Sequence, residues 1–218
     1  MTAQFLSLEG YLSSKEFTPV SYPELYYEIQ IANLDKKLTL DLFYDQTVQE
    51  YIDLFLNERL DDYIIFRERS FLYFPMFEKY LAEYNLPPEI KYLAVLESGL
   101  SPTACSPSMA VGMWQFKEKT GSAFGLKINK LVDERTDPEL STIAACQYLN
   151  RLYKRFNNWE LSLLAYNAGP TALSNVIEQN KGVLDYFTLV SHLPVPAQRY
   201  LPALVAIIYL FENYENHF

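Results

Sequence analysis

The chain has 218 residues, half of them hydrophobic and 21% charged, a balance that makes a globular body and excludes a disordered or low-complexity one. Lys plus Arg number 18 against 27 Asp plus Glu, a net charge of −9, which argues against a nucleic-acid binder and against electrostatic docking on an anionic membrane. The 7 glycines exclude glycine-rich phosphate loops, and 2 cysteines and 2 histidines outside any metal-ligand spacing argue against a zinc site and a Ser-His-Asp triad, so neither a metal nor a cofactor is expected.

In chain order, residues 1–20 show no clean period and read as an irregular arm. Met1 to Gly10 lack a basic stretch followed by a long apolar one, so no targeting segment is read there. Pro23 is placed to open a first helix. Val48, Tyr51, Ile52, Phe55 and Leu56 follow the i, i+3, i+4, i+7, i+8 spacing of an amphipathic helix. Its start has two candidate caps, a Thr47–Glu50 box and Asp45. Tyr73, Met76, Phe77, Tyr80, Leu81 and Tyr84 repeat the pattern up to Asn85-Leu86-Pro87-Pro88, where Pro88 suits the first position of another helix. A Ser- and Pro-containing loop runs from Leu100 to Ser108. The sequence then predicts a helix from about Gly112, ended by Gly125.

Asp137-Pro138 reads as an N-cap followed by proline at the first helical position, opening a helix to about Phe156. Asn157-Asn158 turns the chain. Trp159 to Ala168 has almost no polar face, as a helix at the centre of a core would. Gly169-Pro170 breaks it and starts another. A last helix follows Pro196, with Tyr200, Ala203, Leu204, Ile207, Ile208 and Phe211 on one stripe. The longest apolar run, Ala203 to Phe211, falls well short of the ~20 residues that span a bilayer, so a soluble chain is expected. No strand run or internal repeat is evident. The expected fold is mostly α, with residues 1–85 an N-terminal arm and helical extension packed on a unit at 86–218.

The helix opened by Pro88 carries one anomaly. Ile90, Leu93 and Ala94 define its buried stripe, and the next position on that stripe is Glu97. A carboxylate on an apolar face is costly unless paired or protonated. One reading is a frayed helix end with Glu97 in water. The other is a carboxylic acid held neutral near pH 7, as a glycosidic bond requires of its general acid.

Glu97-Ser98-Gly99 is followed by Ser106-Pro107, by Gly112-Met113-Trp114-Gln115-Phe116 and by Ala165-Tyr166-Asn167-Ala168-Gly169. Val132 to Pro138, Ala144 to Leu149, and Leu193-Pro194 with Gln198-Arg199-Tyr200-Leu201-Pro202 complete the series. In order and spacing, the series resembles the lytic transglycosylases that carry a goose-lysozyme-like catalytic domain, most closely the membrane-bound D type. The matched stretch runs from about Leu86 to Pro202, with weaker similarity back to about Asp41. The resemblance implies a lysozyme-like helical domain acting on peptidoglycan glycan strands in the periplasm or cell envelope, with outer-membrane association open for a longer protein. It implies no nucleic-acid partner and a monomer.

Position by position, the resemblance makes Glu97 the single catalytic glutamate and Ser98 a residue that steadies it. Ser106 and Gln115 become cleft residues, and Tyr166 and Asn167 lie below the sugar. Tyr200 is the tyrosine that reaches toward the glutamate. Each has a plainer reading. Ser98 and Ser106 also suit a loop or cap, Gln115 a surface amide, Tyr166 and Tyr200 core packing, and Asn167 a C-cap. Trp114, Phe116 and Trp159 read as core, and Cys146 as a buried small hydrophobe. The sequence departs from the family pattern at Met109, where glycine is usual, at Lys117, where methionine is common, and at Ala197-Gln198. The implied reaction cleaves the bond between N-acetylmuramic acid and N-acetylglucosamine and closes a 1,6-anhydro ring, one glutamate serving as acid and then base. A hydrolytic muramidase on the same scaffold and a non-catalytic glycan-binding module are the competing readings. For Glu97 the helix spacing predicts that desolvation outweighs hydrogen bonding from Tyr200 or Ser98, with ionisation near pH 6 by analogy with glutamates in apolar clefts.

Overall fold

The computed structural model describes residues 22–213, so the arm at residues 1–20 and His217 lie outside the described residues. Helix α1 (Glu24–Asp35) follows Pro23 and buries Tyr27, Ile31 and Leu34. Helix α2 (Gln46–Asn57) is capped by Asp45, whose side chain accepts from Val48 N at 2.8 Å, so Asp45 and not Thr47 fills the cap. The expected stripe of α2 is buried as drawn from its spacing.

Helix α3 (Leu60–Glu83) has 24 residues and extends well before the periodic stretch that begins at Tyr73. Its first half escapes a periodicity argument because Ile64, Ile65, Phe71 and Leu72 face solvent and blur the stripe. Pro75 lies within it on the exposed side, where a carbonyl that loses its helical donor meets water.

A 3₁₀ turn (Pro88–Ile90) runs directly into helix α4 (Lys91–Ser98), which ends on Gly99 at φ 59. A Cβ on Gly99 would stand 2.3 Å from the Phe66 ring, so α3 packs on the very end of α4.

The chain then departs from expectation. Residues 112–117 are not helical, and helix α5 is confined to Glu118–Ala123. Val111 and Phe116 instead pair in an antiparallel bridge, each N–H donating to the other's carbonyl at 3.0 and 3.1 Å. The four residues between them make a tight turn that needs positive φ at Gly112 (86) and Gln115 (50). At Gly112 a Cβ would fall 1.9 Å from Arg135 O, so glycine here admits a close backbone approach rather than starting a helix. Gly125 keeps its expected place just past the end of α5, at φ 88.

Asp137 caps helix α6 (Pro138–Phe156) through bonds from Glu139 N and Leu140 N, with Pro138 at the first position. Asn157 turns the chain at φ 48, and Asn158 caps helix α7 (Trp159–Ala168) by accepting from Leu161 N. Leu161 through Asn167 are all buried, and α7 packs against α6, helix α8 (Pro170–Gln179) and helix α11 (Tyr200–Glu212). Two short helices, α9 (Tyr186–Val190) and α10 (Val195–Gln198), lead into α11. Helix α11 is buried from Tyr200 to Phe211 and packs on α2, α4 and α7. It thus sets the N-terminal helices against the helix that carries Glu97. Among the described residues the fold is helical, apart from isolated bridges at 105–111, 111–116 and 128–133. No described helix is long and apolar enough to cross a membrane.

Candidate active site

Glu97 occupies the last turn of α4 with 4% of its surface exposed. The helix does not fray there, because Gly99 closes it in the left-handed conformation and donates its N–H to Val95 O at 2.8 Å. The Tyr200 hydroxyl, at the first position of α11, donates to Glu97 Oε1 at 2.5 Å. Burial raises the Glu97 carboxyl well above the ordinary carboxylate range, and the Tyr200 bond works against this by favouring the anion. Burial prevails and the pKa rises to about 7. Burial, followed by the neighbouring Glu97 charge, also drives the Tyr200 and Tyr166 hydroxyls far upward, so both remain proton donors.

Glu97 opens onto a cavity of about 280 Å³ lined by Arg69, Ser98, Ser101, Ala104, Cys105 and Gln115. A second cavity of about 200 Å³ is lined by Gln115, Lys117, Tyr148, Tyr166, Asn167 and Gly169, together with Phe116, Thr120, Ala168 and Pro170. Gln115 borders both, so its side chain stands between the two spaces. The left-handed turn puts Gln115 there. Its amide nitrogen donates to Gly112 O at 2.9 Å and Ala104 O at 3.3 Å, leaving the amide oxygen as the acceptor for a ligand hydroxyl.

The turn is braced from behind. Arg135 is buried, with Nη1 donating to Met109 O and Phe116 O at 3.1 Å each. Asp133 grips the same guanidinium through two oxygens at 2.8 and 2.6 Å, which holds the Asp133 carboxyl below its usual range. Trp114 is fully buried, packs on Phe77 at 5.0 Å and donates to Thr142 Oγ1 at 3.0 Å.

The remaining residues singled out from sequence fall on both sides of the cleft wall. Tyr166 lines the second cavity and donates its hydroxyl to Trp114 O at 2.6 Å, tying α7 to the turn. Asn167 lies buried within α7 and lines the same cavity, while Gly169 takes the C-cap. The Ser98 hydroxyl bonds to Met113 O at 2.9 Å and accepts from Ser101 N at 3.2 Å. It therefore fastens the Glu97 helix to the turn through backbone groups. Ser106 is buried in the loop before the turn, where its hydroxyl accepts from Ala110 N at 3.0 Å and meets Ser108 Oγ at 3.2 Å. Cys105 is a free, exposed thiol on the rim. Cys146 is wholly buried, and burial pushes its thiol up to about 12.

Sequence reasoning did not single out Arg69, which comes from α3, or Tyr148, whose ring lies 5.3 Å from Tyr166. Tyr148 stands in the Ala144–Leu149 run, a usable signal. Arg69 gives none, because nothing local says that α3 reaches the end of α4. Among the described residues, no group of three His, Cys, Asp or Glu side chains is placed to hold a metal ion.

This helical body, with one desolvated, protonatable carboxylic acid facing a cavity, has the fold of the lysozyme-like class of helical domains. The fold is similar to that of the crystallised 70 kDa soluble lytic transglycosylase of Escherichia coli, with a TM-score of 0.55 and 24% identity over 65% of this chain and 24% of that one. The chain belongs to the transglycosylase SLT domain family, whose model matches residues 75–186, just over half of its length. It is 34% identical to membrane-bound lytic murein transglycosylase D of Escherichia coli (strain K12), over 61% of this chain and 30% of that protein. It is 39% identical to peptidoglycan transglycosylase gp16 of Escherichia phage T7, over 39% of this chain and 7% of that protein. The chain thus spans less than a third of the length of these relatives.

Proposed function

We propose that this protein is a peptidoglycan lytic transglycosylase of the cell envelope, cleaving the β-1,4 bond between N-acetylmuramic acid and N-acetylglucosamine. The observation that carries the proposal is Glu97, a carboxyl raised to about 7 by burial and opening onto a cleft. Its likeness to relatives named for murein transglycosylation supports the choice of substrate.

Glycosidases commonly pair two carboxylates about 5 to 10 Å apart, the second serving as nucleophile or base. Among the described residues lining the Glu97 cavity there is no second carboxylate. The substrate is therefore proposed to supply the missing groups. Protonated Glu97 gives its proton to the oxygen that leaves with N-acetylglucosamine. The muramic 2-acetamido group stabilises the cation developing at C1. Glu97, now an anion held by the Tyr200 hydroxyl, takes the proton from the C6 hydroxyl of the same ring as its oxygen attacks C1. The product is a 1,6-anhydro sugar, no water is consumed, and Glu97 ends protonated.

A pKa near 7 suits both halves, since the same group must give and then accept a proton near neutrality. Gln115, Tyr166 and Asn167 are assigned to the glycan, holding it so that C6 faces C1, and that positioning carries much of the catalysis. Of residues 1–85, read as an N-terminal arm and helical extension, the described part from Tyr22 onward is assigned as an extension packed on the catalytic unit at 86–218, to which it lends Arg69. The protein is read as a monomer needing no metal or cofactor.

Mass spectrometry of the products from purified peptidoglycan tests the reading. Anhydro-ended muropeptides are expected. Reducing-ended products, heavier by one water, would make the protein a hydrolytic muramidase, and absence of any cleavage would leave a glycan-binding module.

A further inference from the structure

We infer that Arg69 binds a carboxylate borne on the C3 lactyl arm of the muramic ring, making the Glu97 cavity selective for anionic glycan. This rests on the peptidoglycan reading above and deepens it.

Arg69 lines the Glu97 cavity, half-buried, with Nη1 donating to Gly99 O at 2.8 Å. That contact fixes the guanidinium two residues beyond Glu97 and occupies only one of its five N–H donors. The arginine at the N-cap of α3 and the other one within it are engaged differently. Arg59 pairs with Asp62 at 2.7 Å, and Arg67 lies over the Phe71 and Phe211 rings. Elsewhere Arg135 pairs with Asp133 and Arg199 with Glu50. Among the described residues Arg69 stands in no ion pair.

A pre-positioned cation without a counter-ion, in the cleft wall of a chain of net charge −9, is a site for an anion. Glu97 does not neutralise it, being protonated up to about pH 7. A guanidinium presents a planar fork that matches a carboxylate, and a side chain already held by Gly99 loses little rotamer freedom on binding it. The arm at C3 carries a carboxylate in two forms. Bare glycan exposes the lactyl carboxylate itself, and peptide-substituted glycan presents the carboxylates of the stem peptide.

The test compares wild type, Arg69→Gln and Arg69→Lys, with Arg155→Gln as a control that removes the same charge from the distant end of α6. Three substrates are needed: intact peptidoglycan, the same glycan stripped of stems by an amidase, and stripped glycan whose carboxylates have been converted to neutral amides. Arg69→Gln should lower kcat/KM on charged glycan about ten-fold, through KM, the cost of one charge-assisted contact. Arg69→Lys should recover part of the loss and Arg155→Gln should match wild type. On amidated glycan, wild type and Arg69→Gln should be equal. A loss on only one of the charged substrates identifies which carboxylate is read. An equal loss on amidated glycan would make Arg69 a packing residue and overturn the inference, as would unchanged cleavage of both charged substrates. A wild type that cleaves none of the three would overturn the peptidoglycan reading itself.

Discussion

Two buried glutamates stand at opposite ends of the helical segment 88–98, and their surroundings differ. Glu89, in the 3₁₀ turn, is 3% exposed; its Oε1 accepts from Thr39 N at 3.0 Å, and Oε2 has no hydrogen-bond partner among the described residues. Glu97, in the last turn of α4, is 4% exposed, is held by a tyrosine hydroxyl and faces a cavity of about 280 Å³. Burial alone therefore does not mark a catalytic acid. Glu89 fastens the loop after α1 to the helix start. Each has one donor, Thr39 N for Glu89 and the Tyr200 hydroxyl for Glu97, but Glu97 alone of the two faces a cavity with room for a ligand.

The largest effect that separates the two is on turnover. Glu97→Gln keeps the shape but cannot transfer a proton, and release of soluble muropeptides should fall about 10³-fold or more. Glu89→Gln should stay within about two-fold of wild type in the same assay, because its cost falls on packing and not on chemistry. Comparable losses in both variants would erase the distinction.

The next effect is on stability against pH. The Glu97 carboxyl is raised from 4.5 unfolded to about 7 folded, so the folded state holds the proton more tightly. Below pH 4.5 the group is protonated in both states and contributes nothing. Between 4.5 and about 7 wild type loses stability as pH rises, by on the order of 3 kcal/mol in total, and above that the deficit is constant. Glu97→Gln should escape this, so the two melting temperatures should coincide at pH 4 and diverge in favour of the variant by pH 8. A wild type that gains on the variant with rising pH would reverse the sign of the argument.

How much of this was legible in the sequence depends on whether the cause is local. Helix α7 announces itself through having almost no polar face, α6 through Asp137-Pro138, and Glu97 through its place on the Ile90, Leu93, Ala94 stripe. Glu89 is as deeply buried, yet its partner is the backbone of Thr39, and no local spacing predicts it. The turn at Gly112–Gln115 reads as a helix in the sequence because one of its determinants, the approach of Arg135 O to Gly112, is long-range. Arg69 gives no local signal for the same reason, since what brings α3 to the Glu97 end of α4, the Phe66 ring against Gly99 and the Arg69 bond to Gly99 O, is long-range.

Smaller effects sharpen the contrast. Tyr200→Phe removes the donor that favours the Glu97 anion, so the carboxyl should rise further. Turnover should drop about ten-fold, and the alkaline limb of the kcat/KM profile should move to higher pH, a direction that simple loss of packing would not produce. At the other end of the segment, Glu89→Ala takes the acceptor from Thr39 N and should cost about 1 kcal/mol in chemical denaturation, with turnover of the folded protein preserved.

In the folded protein Glu97 keeps its proton up to near-neutral pH, and its titration can be observed directly. With the glutamate side-chain carboxyls labelled with ¹³C, the resonance missing from Glu97→Gln identifies Glu97, and its chemical shift is followed from pH 4 to 9. A midpoint near 7 is predicted, well above the exposed glutamates in the same spectrum. A midpoint in the ordinary range, near 4.5, would mean that the carboxylate is already ionised in its cavity and is not the acid that starts the reaction.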